Sequence, residues 1–186
     1  MKQLIIIAFA FISFSSFSQS FDGVPISGDL PTAIAKFKVK GYVLDKYVAN
    51  GVIMKGRVAN SPVELFILTT PKSKRVFKMV AFLEEQISWV SLKSEYYKYK
   101  NILTEKYGNS DETYDFFSQP YYEGDGYELS AVGQEKATFA AYWFKRDNLT
   151  LGVEISKFKQ VKLVYENNQM MEIKNKEQSE IESNSF

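Results

Sequence analysis

"GVIMKGRVANSPVELFILTTPKSKRVFKMVAFLE", residues 51–84, decides the fold class. In its first part Val52, Met54, Gly56 and Val58 alternate with Ile53, Lys55 and Arg57; in its second Val63, Leu65 and Ile67 share a face; its third, 75–84, is apolar on both faces. A period of two is the signature of a strand, because successive side chains point to opposite sides of a sheet. The connectors "ANSP" and "TPKSK" are short turn signals, so the three runs form an antiparallel meander.

Outward from this block, residues 29–40 read as a helix. Asp29 is placed to cap it, Pro31 falls in the first turn, Gly41 follows its end, and Leu30, Ile34 and Phe37 form one apolar stripe. A longer helix is predicted over 88–107, where Trp89, Leu92, Tyr96, Tyr99, Leu103 and Tyr107 step by three or four and Gly108 ends the run. That stripe is read as core. Three more strand-like runs follow, "ATFAAYWFKR", "LTLGVEIS" and "KQVKLVYEN", the first two joined by the turn "RDN" at 146–148. The order predicts an α+β fold of two helix-plus-three-strand antiparallel units (αβββ-αβββ), with helices on one face of the sheet. The domain then spans 21–167 in two halves, 21–85 and 86–167, and the polar run 168–186 is a frayed helix or disordered tail.

Residues 1–20, "MKQLIIIAFAFISFSSFSQS", have the layout of a secretory signal peptide: Lys2, an apolar stretch from Leu4 to about Phe14, and small residues at Ser16 and Ser18, with cleavage expected after Ser18 or Ser20. The apolar run is short for a membrane span, and no second one follows. The expectation is a periplasmic or extracellular protein with no integral membrane segment after cleavage.

The chain has no cysteine, so it carries no disulfides and its core alone must hold it. It has no histidine, which closes Ser-His-Asp and Cys-His catalysis and His-ligated zinc. Basic and acidic side chains number 23 and 22, and nothing in that balance points to nucleic acid. No cofactor and no metal site is expected.

Residues 109–136 are too long for an idle connection. They contain Asp111, Glu112, Asp115, Glu123, Asp125, Glu128 and Glu135, and between Lys106 and Lys136 there is no basic residue. Tyr114, Phe116, Phe117, Tyr121, Tyr122 and Tyr127 add aromatics. Rings beside carboxylates suit a peptide- or sugar-binding surface, and the candidate binding residues are Tyr114, Phe117, Tyr121, Tyr122, Glu123, Asp125 and Tyr127. Against this stands a reading in which the aromatics fold inward as a strand plus short helix, with Asp125 and Glu128 in a capping arrangement. "EGDGYE" lacks the spacing of a calcium loop. A carboxylate pair such as Asp115 and Glu123 would be the minimum for glycoside hydrolysis. The span from Lys36 to Lys106 has the opposite bias, 14 basic residues to 6 acidic, which suggests a dipolar surface able to steer a partner or bring copies together head to tail.

The stretch "FDGVPISGDLPTAIAKFKVKGY", the second helix ending "KYG", "YYEGDGYE", the Trp-containing strand and "VKLVYEN" together resemble a group of small secreted proteins of unknown function from Gram-negative bacteria. The order of elements is also similar to protein inhibitors of β-lactamase and to small envelope-assembly lipoproteins. What the resemblance implies is a binding role. The leading expectation is an exported, non-enzymatic protein binding a protein, peptide or glycan through the aromatic-acidic segment, assisted by the sheet face that the helices leave open. The alternatives are a carboxylate-based hydrolase of envelope or dietary polysaccharide, and an envelope assembly factor.

Overall fold

A computed structural model describes residues 20–146 and 148–184. The signal-peptide reading of 1–20 lies, but for Ser20, outside the described residues, as does Asp147 of the predicted "RDN" turn. Among the described residues the order is β1 (Ser20–Phe21), β2 (Val24–Pro25), α1 (Leu30–Val39), β3 (Val43–Val48), β4 (Gly51–Val58), β5 (Ser61–Thr69), β6 (Val76–Leu83), α2 (Trp89–Tyr107), β7 (Glu112–Phe117), α3 (Glu128–Gly133), β8 (Ala137–Arg146), β9 (Leu149–Ile155), β10 (Val161–Asn167) and α4 (Asn168–Ser183).

The expected pair of αβββ units is overturned. Strands β3 to β10 form one continuous antiparallel sheet of eight, in the order β3-β4-β5-β6-β10-β9-β8-β7. The seam is the pairing of β6 with β10, where Leu163 faces Ala81 and Val164 faces Val80. Strand β3 was missed, and β7 was foreseen only in the alternative reading of 109–136 as a strand plus short helix; these are the two edges. Edge strands need no two-sided apolar pattern: β3 is "VLDKYV" with a bulge between Leu44 and Lys46, and β7 is "ETYDFF", exposed along most of its length.

Both long helices cover the same face. Ala33, Ile34 and Phe37 of α1 and Leu92, Tyr96, Tyr99 and Leu103 of α2 join one buried cluster with Leu65, Ile67, Met79, Ala81, Val153, Leu163 and Trp143 from the sheet. Asp29 caps α1 by accepting from the Thr32 N–H and hydroxyl, each at 2.9 Å, and Ser88 caps α2 by accepting from the Ser91 N–H at 3.1 Å. Gly108, at φ 82, ends α2. The opening "FDGV" forms the small β1–β2 hairpin, whose Phe21 and Val24 enter the same core.

The C-terminal run, expected as a frayed helix or a disordered tail, forms helix α4. It packs across the ends of β6 and β10. Asn167 caps it and also donates to the Ile26 carbonyl at 2.9 Å. The anchor is Glu177, buried, which accepts from the backbone N–H of Lys72 at 2.7 Å and of Ser73 at 3.1 Å in the β5–β6 turn. Burial raises the Glu177 carboxyl, but hydrogen bonds from Ser73, Lys72 and Thr70 outweigh it and leave the group below its ordinary value.

The depressed carboxyl means that the Glu177 contribution is present above the ordinary glutamate range and is lost as pH falls through the folded value. Hydrogen exchange should therefore show α4 amides losing protection at acid pH before those of β6 and β10, and Glu177→Gln should produce that loss at neutral pH. Leu163→Ala, at the seam, is expected to destabilise by about 2–5 kcal/mol, with far-UV circular dichroism and near-UV signals melting in one transition; separate melting of two halves would contradict a single core.

Candidate functional site

The structure separates the seven candidate residues of the aromatic-acidic segment. Strand β7 turns alternate side chains to the two faces of the sheet. Phe117 faces the helices, its ring 5.3 Å from that of Trp89 and 5.4 Å from that of Phe139. Tyr114 faces the other way, 6.4 Å from the Tyr142 ring. Tyr122 and Tyr127 are exposed on the loop between β7 and α3, while Tyr121 is half-buried with its hydroxyl accepting from Gln134 at 2.8 Å. Asp125 accepts from the N–H groups of Tyr122 (3.1 Å) and Tyr127 (2.7 Å), and Glu128 from that of Gly124 (2.8 Å). These two carboxylates shape the loop; α3 itself has no side-chain cap.

The acids of this segment are engaged from within the molecule. Asp115 pairs with Lys100 at 2.9 Å and accepts from the hydroxyls of Tyr96 (2.8 Å) and Tyr97 (3.2 Å). Glu123 pairs with Lys93, which also lies over the rings of Trp89 and Tyr97. Asp111 is bound by Arg146 at 3.0 Å and by the Phe144 N–H, contacts that hold it below the usual carboxylate range. The segment is thus fastened to α2 by two lysine–carboxylate pairs. Asp115 and Glu123 each hold a lysine, and among the described residues no group of three or more potential ligands is placed to hold a metal ion.

A second surface emerges from the sheet register. Three adjacent rows run across the face opposite α1 and α2. The middle row is Lys46, Ile53, Phe66, Val80, Val164, Gly152, Tyr142, Glu112, each residue directly opposite the next on the neighbouring strand. Its six inner members are apolar or aromatic. A sheet with one face open to water ordinarily carries polar residues there, so this row is the departure to be explained. The flanking rows hold cross-strand ion pairs: Lys78 with Glu166 at 3.1 Å on one side, and Lys162 with Glu154 at 2.8 Å and Lys55 with Glu64 at 3.6 Å on the other.

Between these rows lies a cleft of about 540 Å³, lined by strand residues, among them Phe66, Val80, Phe82, Tyr142, Phe144 and Val164. The Phe66 and Phe82 rings meet edge to face at 5.4 Å, and those of Tyr142 and Phe144 lie parallel at 6.1 Å. Gly152 makes room for Tyr142: a Cβ there would lie 3.1 Å from the tyrosine ring. Sequence reasoning missed these residues. The available signal was the third run of the opening stretch, apolar on both faces, together with Phe66 and Leu68 on the side opposite Val63, Leu65 and Ile67.

Comparison with protein-family models, curated proteins and solved structures gives no match to this chain. Among the described residues no helix is long and apolar enough to cross a membrane.

Burial and the adjacent Glu154 carboxylate push the Tyr142 phenol up to about 12. A phenol that ionises later in the folded than in the unfolded state makes stability fall as pH rises from the ordinary tyrosine range near ~10 toward the folded value. Ultraviolet titration should resolve this late tyrosine, and Glu154→Gln should move it downward; an unchanged profile would show that Glu154 does not act on the ring.

Proposed function

We propose that this is an exported, non-enzymatic interaction protein that holds an apolar stretch of another polypeptide on the open face of its sheet. The observation that supports the reading is the apolar middle row, running across the six inner strands, with no helix residue among the described residues lining the cleft beside it. Within the row Ile53, Val80 and Gly152 are buried and Phe66, Val164 and Tyr142 half-buried, with Phe116 and Phe144 exposed on the same face; apolar surface rimmed by polar groups marks an interaction site. Four of the rings on this face, Phe66, Phe82, Phe116 and Phe144, are phenylalanines, which have no polar handle for sugar hydroxyls and favour apolar side chains. The lysines and glutamates on either side neutralise one another, so the face favours a partner without strong net charge. Tyr122 and Tyr127 are exposed on the loop after β7, which Glu123 ties to Lys93 of α2. Export is supported by the N-terminal signal-like run.

Affinity selection from a displayed random-peptide library tests the reading. The purified chain should enrich peptides with apolar cores, the double variant Phe66→Ser, Phe144→Ser should weaken the selected peptides at least tenfold, and Tyr122→Ala, Tyr127→Ala should have the smaller effect. No enrichment, or peptides bound equally well by the face variant, would end it. Binding confined to a glycan array would replace the polypeptide by a sugar polymer.

A further inference from the structure

We propose that copies of this chain associate head to tail by extending the sheet, strand β3 of one copy adding to strand β7 of the next. This does not rest on the open-face reading. It rests on the two sheet edges.

Both edges are six residues long, Val43–Val48 and Glu112–Phe117, and neither contains proline. An edge strand offers a row of unpaired backbone N–H and C=O groups to any strand of matching direction. All neighbouring strands in the order β3-β4-β5-β6-β10-β9-β8-β7 are antiparallel. Seven reversals separate the edges, so β3 and β7 run in opposite directions, and β3 of a second copy can continue the antiparallel pattern beside β7.

The side chains fit the same register. Lys46 and Glu112 are the two ends of the middle row of the open face. Continuing that row into a second copy sets Lys46 directly opposite Glu112. Both are exposed, and among the described residues neither is in an ion pair; Glu112 accepts only the Tyr114 hydroxyl, at 2.8 Å. The bulge between Leu44 and Lys46 then brings Val43 opposite Tyr114, the end residues of an adjacent row on the same face. Val43 is 67% exposed and Tyr114 39%. An aromatic beside a β-branched residue and a lysine beside a glutamate are both favourable cross-strand pairs, whereas like charges in opposition destabilise. Pairing of like edges would gather Glu112 and Asp115 of two copies on β7, or Lys46 of two copies on β3. Unlike edges are therefore the matched combination. Such a contact uses two different surfaces, so it propagates as an open chain or closes as a ring rather than stopping at a two-fold dimer.

Sedimentation of the purified chain across a micromolar range, at low salt, should show mass rising with concentration. Lys46→Glu and Glu112→Lys should each weaken association about tenfold, the effect of turning one such pair from attraction to repulsion. The double variant should restore it, and so should mixing the two single variants. Circular dichroism establishes that each is folded. Independently of any variant, hydrogen exchange should show β3 and β7 amides, and not those of β6 and β10, gaining protection with concentration. A wild-type chain that stays monomeric, single variants that associate as it does, or edge amides indifferent to concentration would each overturn the proposal. Phe66→Ser, Phe144→Ser should still associate, which separates this test from that of the open face.

Discussion

The antiparallel seam between β6 and β10 fixes nearly everything else. It joins the last strand of each half of the chain, so the first strands, β3 and β7, are forced to the two edges. It also decides where α2 must go. From the end of β6 the chain has to reach β7, four strands away, a distance of about 19 Å at the usual strand spacing. Helix α2 has 19 residues, about 28 Å of axis, enough to make that crossing obliquely, and it packs on β10, β9 and β8 on its way. Its apolar stripe closes the core over these strands, while α1 closes it over the other half through Phe37, which meets both Phe21 and Tyr42.

The elements with two-sided or strictly alternating patterns were legible in the sequence, because buried positions there are dictated by period. Strands β4, β5, β6, β8, β9 and β10 and helices α1 and α2 fall where alternation and stripes place them, with the cap at Asp29 and the stop at Gly108. What could not be read is what burial does not dictate. Strand β3 has Asp45 and Lys46 side by side and a bulge; β7 has Asp115 facing the helices, where an apolar residue would be expected. Leaving both edges out of the predicted order gave three strands per half and hid the continuity of the sheet. Helix α4 was obscure for a related reason: its anchor is Glu177, a polar residue whose partners are backbone groups more than a hundred positions away.

The charge bias along the sequence had a similar fate. Lysines before residue 107 and acids after it suggested two oppositely charged surfaces, yet folding brings Lys93 to Glu123 and Lys100 to Asp115. Asp115 sits among Tyr96, Tyr97 and Lys100, so its charge is compensated at the point where β7 lies over α2. Two of these lysines and two of these acids serve to fasten the second half of the chain to its own helix. Phe117, a candidate ligand contact from sequence, is part of the same attachment through Trp89.

An apolar row left facing water is a liability unless something moderates it, and the flanking ion pairs supply the means. Lys78 and Lys162 reach across to Glu166 and Glu154 with side chains only 28% exposed, so their methylene stems lie along the apolar row while the ammonium groups stay paired at the rim. Val80, two residues from Lys78 on β6, is 8% exposed, and Ile53 beside Phe66 is 4% exposed, values of a core rather than of a bare face. The rings remain partly open: Phe144 at 37% and Tyr114 at 39% lie toward the β7 edge. The exposed part of the face is thus its rings, and the middle of the row lies under lysine stems. The paired rows thus shelter the apolar middle of the face where no described helix covers it, and leave the rings at the β7 end as its most accessible apolar surface.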